Sequence, residues 1–334
     1  MAAELPEIYL RQDVGASAAD ELVRAGAWSR VRRGAYTDTL TGERWEQDWN
    51  RALAAALAAQ RQLKNATLAD DSAAMAHDLE VWQIPSATSV IQEYNPRSGL
   101  PADVRRRVCA LDHDDVVQVG SADVTSLERT VVDCARIMHP RDALVIADSG
   151  MRAIVKPDRE ERRVDVAART EPLRTDLLAR IVPGSRGARR ARAIITAADP
   201  LAENAAESVV RWIAIGRGMP RPVLQKEVVT SRGSVFTDLA WRFQLNGKVL
   251  WLHVEFDGTG KYLKNPRGRS TAQVLLDERK RESAITDTGD VVVRVYWDEI
   301  TSENWVFTKI TQRIARAVVN RYQRVPLLYR PPGR

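Results

Sequence analysis

Phe236-Thr-Asp238-Leu-Ala-Trp241, then a polar turn, then Val249-Leu-Trp-Leu-His-Val-Glu255-Phe-Asp257-Gly258 is the stretch that decides how this chain is read. In its second run Leu250, Leu252, Val254 and Phe256 alternate with Trp251, His253, Glu255 and Asp257. That period of two predicts a strand with an apolar and a polar face. Two carboxylates at the end of one face, just before a glycine, repel each other unless a cation sits there. The preceding strand ends on a third carboxylate, Asp238. Neighbouring strands that deliver Asp and Glu to one point are how oxygen-ligand sites for hard cations are built.

Working outward, Asn246-Gly247 predicts a hairpin between the two strands. A strand over 223–229 precedes them, and a helix over 204–215 precedes that. After Gly258 comes a basic loop to Arg269, a helix over 270–286, a strand over 290–297 and a closing helix over 303–322, with a loose tail from Pro326. Asp199-Pro200 marks a boundary.

Nearer the N-terminus, Asp13-Val-Gly-Ala-Ser17 predicts a turn and a helix cap at Ser17, with a helix to Arg24 that stops before Gly26. Trp28-Ser-Arg30-Val-Arg32-Arg33-Gly34-Ala-Tyr36 then predicts a basic hairpin. A long helix follows over 45–63, with Trp45, Trp49, Leu53 and Leu57 at helical spacing. Strands are expected over 87–94, 104–111 and 116–124, and helices over 126–138, 141–153, 171–181 and 186–198. Thr125-Ser-Leu-Glu-Arg129-Thr-Val-Val-Asp133 reads as a structural hydrogen-bond network. Arg186-Gly-Ala-Arg189-Arg190-Ala-Arg192 is a basic cluster with two readings, an exposed helix face or a DNA-backbone contact.

Asp238-Leu-Ala-Trp, Glu255-Phe-Asp257-Gly258, the charged run Asp277-Glu-Arg-Lys280-Arg-Glu282 and Val291-Val-Val-Arg294-Val-Tyr296 together resemble the PD-(D/E)xK nuclease superfamily. The resemblance is closest to its very-short-patch-repair-endonuclease-like members. The helix and basic hairpin before Tyr36, and the segment 125–133, resemble the winged-helix antitoxin of the AbiEi abortive-infection systems. The resemblance implies an α/β chain, α+β overall: a winged-helix-like domain over 1–40, an AbiEi-like α/β middle domain over 41–200 and a nuclease-like αβββαβ domain over 201–334. It also implies site roles. Asp238 and Glu255 would hold Mg²⁺, with Mn²⁺ as substitute and Asp257 as a further ligand. A lysine would position the attacking water. The family's lysine position, two residues past the glutamate, is occupied here by Asp257. Lys261 in Gly258-Thr-Gly-Lys261 is the first replacement and Lys280 the second. Glu207 has two readings, reaching the metal from its helix or pairing with Arg211 four residues on.

DNA contacts are assigned to Arg30, Arg32 and Arg33 of the hairpin, to Arg189 and Arg190, and to Arg294. For the hairpin the alternative is a structural wing, because the helix before it carries Asp20 and Glu21 where a groove-reading helix shows Arg, Asn or Gln. The formal net charge of +6 over 334 residues is compatible with a polyanionic partner. No apolar run approaches the ~20 residues of a membrane span. Cys109 and Cys134 cannot make a disulfide framework, and the N-terminus lacks a signal-peptide core. These features suit a cytoplasmic protein. His77, His113 and His139 are scattered, and no Cys/His spacing fits zinc. The expected function is a Mg²⁺-dependent DNA endonuclease. The alternative is an antitoxin-like repressor, partnered by a cognate toxin, with an inert nuclease-like domain.

Overall fold

The computed structural model describes residues 5–94, 99, 101–158, 163–231, 233–245, 247–257 and 280–329. The described residues form a mixed α/β protein with three sheets. The chain divides into two compact units, one of Met1–Met138 with Pro172–Ala191 and the other of His139–Glu171 with Arg192–Arg334. Among the described residues no helix is long and apolar enough to cross a membrane.

The first unit opens with β1 (Tyr9–Leu10), α1 (Arg11–Val14), α2 (Ala16–Arg24), β2 (Trp28–Arg32) and β3 (Ala35–Asp38). The strands form an antiparallel sheet ordered β1-β3-β2. The α2 cap is Gly15 rather than Ser17, because the chain enters at φ 90°, ψ 150°, a conformation that glycine alone adopts readily. The helix α3 (Arg44–Gln62) starts in a capping box, Glu43 and Glu46 each bonding the other's backbone N–H. Its Leu53, Leu57 and alanine stripe pack against a five-stranded sheet ordered β6-β5-β4-β8-β7. The strands are β4 (Thr67–Leu68), β5 (Thr88–Gln92), β6 (Val104–Val108), β7 (Val116–Val119) and β8 (Ala122–Thr125). The single strand expected over 116–124 is thus a hairpin, turned at Gly120 with φ 58°.

The segment 125–133 does form a polar network. Ser126 caps α5 (Leu127–Ile137) by accepting the Arg129 N–H. Thr125 and Thr130 share a hydroxyl bond of 2.7 Å. Asp133, 1 % exposed, is contacted by Arg107 and Arg129 at 2.7 Å each and by Arg136 at 3.4 Å. Burial pushes the Asp133 carboxyl up, but the Arg107 and Arg129 guanidinia outweigh it and hold it below the usual range. Asp70 starts α4 (Asp70–Ala76) with φ 51° and lies 2.9 Å from Arg107. For Asp70 burial prevails over Arg107, with Asp133 and Asp71 adding repulsion, and its carboxyl is pushed up to about 6.

This shift has a sign. Between pH 3.8, the ordinary value, and about 6, the folded state binds a proton that the unfolded state has lost. Stability therefore falls as pH rises through that window and levels off above it. Asp133 acts oppositely, its contribution being lost only as pH drops below the ordinary carboxylate range. Asp70→Asn, which keeps a residue tolerant of left-handed φ, should remove the slope between pH 4 and 6. The full effect is at most about 3 kcal/mol. Denaturant titrations of both proteins at stepped pH check it; parallel curves would exclude Asp70 as the source.

In the second unit α6 (Pro140–Val155) packs on α9 (Ala205–Gly216). The helix expected over 171–181 begins earlier, as α7 (Arg163–Ala179), and carries Pro172 inside. It is followed by α8 (Ala188–Ala197), and the division between the units crosses α7 at Pro172. After α9 come β9 (Val223–Thr230), β10 (Gly233–Leu245), β11 (Lys248–Asp257) and β12 (Val291–Tyr296), ordered β12-β11-β10-β9. The first three are antiparallel neighbours and β11 runs parallel to β12. Residues 280–286 are helical; the rest of the helix expected over 270–286 lies outside the described residues. The closing helix is broken into Glu303–Thr311 and Arg316–Val319. Of the tail expected to be loose from Pro326, residues 326–329 pack, and the remainder lies outside the described residues. Trp212 Nε1 donates to the Leu328 carbonyl at 2.6 Å, and the Tyr329 ring stacks on Trp212.

Candidate active site

Both faces of β11 are covered, so its alternation does not separate a buried side from a wet one. His253 is 0 % exposed and Glu255 6 %, alongside Leu252 and Val254. The alternation puts His253 on the polar face with Glu255 and Asp257. There His253 Nδ1 meets Thr237 Oγ1 at 2.8 Å, and Nε2 lies 3.4 Å from Asp290 Oδ2. Asp290 also accepts the Trp251 N–H at 3.0 Å and the Thr288 hydroxyl at 2.9 Å. Burial lowers the His253 pKa, against the pull of Asp290, so the ring is held neutral near pH 7. Asp290 was not singled out in the sequence. Its only mark there is its position at the start of the last strand.

The β10–β11 ladder runs from Leu245 opposite Lys248 to Leu239 opposite Val254 and stops. Beyond that point the strands part. Phe256 N–H, which a continuing ladder would pair with β10 backbone, is taken by Asp238 Oδ2 at 2.8 Å. This places the Asp238 carboxylate against the backbone between Glu255 and Asp257. On the other side β12 continues beside β11, with Arg294 opposite Glu255 and Tyr296 opposite Asp257. The three acids of the sequence reading therefore all lie at the end of the strands where β10 leaves β11.

Two arginines stand among them. Arg281 Nη2 is 2.8 Å from Glu255 Oε1 and also donates to the Phe236 carbonyl. Arg294, only 13 % exposed, reaches Glu282 at 3.2 Å, Asp257 at 3.5 Å and Glu255 at 3.9 Å. Arg294, expected to contact DNA, is thus engaged by carboxylates of its own chain. Lys280 is exposed, next to Arg281 in the helical stretch. Lys261 lies outside the described residues.

Glu207 is not a surface charge. It is 3 % exposed and its carboxylate accepts the Glu203 N–H at 2.8 Å and the Asn204 amide at 2.6 Å, while Asn204 Oδ1 accepts the Glu207 N–H. This is a reciprocal cap at the start of α9, legible in Asn204-x-x-Glu207. Arg211, the partner considered for it, is 1 % exposed and binds Asp148 instead.

In donor type the cluster fits a hard divalent cation. All its donors are carboxylate oxygens, and Asp238, Glu255, Asp257 and Glu282 outnumber the two arginines set against them. In the present geometry Arg281 and Arg294 lie against the β11 acids. Among the described residues no three Asp, Glu, His or Cys side chains stand together in ligating geometry.

Of the arginines assigned to DNA, Arg30, Arg33 and Arg189 are exposed. Arg32 is not available, since its side chain is 6 % exposed and pairs with Asp103 at 3.1 Å. Arg190 is half-buried and donates to the Arg136 carbonyl. No protein-family model and no curated protein matches this chain.

Proposed function

We propose that the second unit hydrolyses phosphodiester bonds in DNA with a divalent metal, Mg²⁺ or Mn²⁺, held by Asp238 and Glu255 and assisted by Asp257. The observation that carries this reading is the bond from Phe256 N–H to Asp238 Oδ2, which sets Asp238 against the β11 backbone between Glu255 and Asp257 where the β10–β11 ladder ends. The order α9, β9, β10, β11, helical stretch and β12, with β11 parallel to β12, is the order a PD-(D/E)xK core requires and supports the same reading. The bound ion would polarise the phosphate and lower the pKa of its water. The protein's own part is to fix the acids. Phe256 N–H orients Asp238, and Arg294 ties Asp257 to Glu282. Lys280 and Lys261 are the candidates for orienting the nucleophile. Exposed Arg30, Arg33 and Arg189 in the first unit would meet phosphates without reading sequence.

A second reading is favoured by one observation, the arginines lying on Glu255. It makes the chain an AbiEi-like DNA-binding antitoxin whose nuclease-like unit is inert. Incubation of the full chain with supercoiled plasmid, in Mg²⁺ or Mn²⁺ and in EDTA, separates the two. Metal-dependent nicking or linearisation is expected. Retarded but uncut plasmid under every condition would favour the second reading.

A further inference from the structure

The end of β12 carries an exposed aromatic edge that the hydrolytic reading does not use. Tyr296 is 39 % exposed, Trp297 54 % and Trp305 55 %. Large exposed aromatics cost solvation unless something covers them in use. This edge is also organised. Glu299 accepts the Tyr296 N–H at 3.0 Å, the Trp305 Nε1–H at 3.0 Å and the Lys309 ammonium at 2.6 and 2.7 Å. Burial tends to raise the Glu299 pKa, but the Lys309, Trp305 and Tyr296 donors outweigh it and keep the carboxylate charged. Lys309 in turn lies 4.9 Å from the Tyr296 ring centroid, and Trp297 packs edge-on against Phe256 at 5.9 Å. One carboxylate thus engages the polar handle of Trp305 and the backbone of Tyr296 and fixes the rings in place.

We propose that this edge stacks unpaired nucleobases, so that the acidic strand end receives a single-stranded or locally opened nucleic acid. The proposal rests on the hydrolytic reading of the same unit and names its substrate class. Two features select this occupant. Tyr296 lies directly opposite Asp257 in the β11–β12 register, so the edge adjoins the carboxylates. The segment 304–329 contains Lys309, Arg313, Arg316, Arg321 and Arg324 and no Asp or Glu, and its four arginines are exposed. At the edge itself the cation is Lys309, beside the Tyr296 ring, and aromatic faces with cations nearby are what a single strand engages, bases on rings and phosphates on charges. An apolar protein surface would gain nothing from the cations.

The test uses the full chain in EDTA, so that binding is read without cleavage. The probes are a fluorescein-labelled oligothymidylate and a duplex of equal length. Trp297→Ala with Trp305→Ala should weaken the single strand tenfold or more, since stacking one base is worth roughly that much per ring. Duplex affinity should change less than twofold. The salt dependence of single-strand binding should keep its slope, because no charge is removed. Trp305→Phe, which keeps a ring face, should retain most of the affinity and guards against a folding defect. Equal losses on both probes, or single-strand affinity unchanged in the double variant, would overturn the proposal. Retained plasmid cleavage beside unchanged single-strand binding would overturn the platform and leave the hydrolytic reading standing. Single-strand binding lost in the variant, with no cleavage by wild type, would support the platform and remove the hydrolytic reading. Capture of a protein partner by the edge, abolished in the double variant without any effect on oligothymidylate, would also overturn it.

Discussion

Asp148→Ala is expected to cost the second unit about 3–5 kcal/mol, the range for breaking a buried ion pair by deleting one partner. Asp148 and Arg211 are each about 1 % exposed, on the packed helices α6 and α9. The carboxylate contacts the Arg211 guanidinium with both oxygens and accepts the Asp199 N–H at 2.9 Å and the Ser208 hydroxyl at 2.7 Å. Arg211 Nη1 donates to the Ala197 carbonyl at 2.6 Å. Deleting the acid leaves a guanidinium in the core with that carbonyl, while Ser208 and the Asp199 N–H lose their acceptor. Hydrogen exchange of the peptide spanning 205–216 reads the effect locally. A loss of 3 kcal/mol is roughly 150-fold faster exchange. Asp148→Leu combined with Arg211→Met should recover most of it, because the penalty comes from the orphaned charge and not from a net gain made by the pair. If Asp148→Ala exchanges like wild type, water reaches the pair and the site is not a dry core.

Sequence periodicity located most of these elements, because apolar spacing and turn chemistry are local properties. The strands β9, β10 and β11 and the helices α3, α5 and α9 fall within a few residues of expectation. The errors share one cause, which is tertiary context. The pattern leaves the surroundings of His253 and Glu207 open, and Asp290 and Asn204 satisfy them in the interior. Arg32 and Arg294 look like phosphate ligands by charge, and Asp103, Asp257 and Glu282 neutralise them. An arginine's sequence neighbours do not tell whether a carboxylate 71 or 37 positions away will face it. Asp238 and Glu255 were legible because alternation and a hairpin fix which strands adjoin. The parting of the strands at Asp238 was not, since nothing in Phe236–Trp241 announces where a ladder ends.

Glu255→Ala should lower metal-dependent plasmid cleavage by roughly a thousandfold, equivalent to about 4 kcal/mol of lost transition-state stabilisation. Binding of the same plasmid in EDTA should persist, because the exposed arginines of the first unit are untouched. The companion variant is Arg281→Ala. Its guanidinium lies 2.8 Å from Glu255 Oε1, where a cation bound to that oxygen would compete with it. Like charges a few ångströms apart in a partly buried site repel by more than a kilocalorie even at an effective dielectric of about 20. Removing Arg281 should therefore raise affinity for Mn²⁺ about tenfold, measured by calorimetry on the protein without DNA, and Glu255→Ala should remove that heat. These two results separate the readings without relying on turnover alone. A tighter Mn²⁺ site that disappears with Glu255, together with lost cleavage, fits the hydrolase. If Arg281→Ala binds Mn²⁺ no better, and Glu255→Ala only destabilises the fold, then Glu255 serves as the anchor of Arg281 and Arg294. The chain is in that case a DNA-binding protein with an arginine-locked strand end.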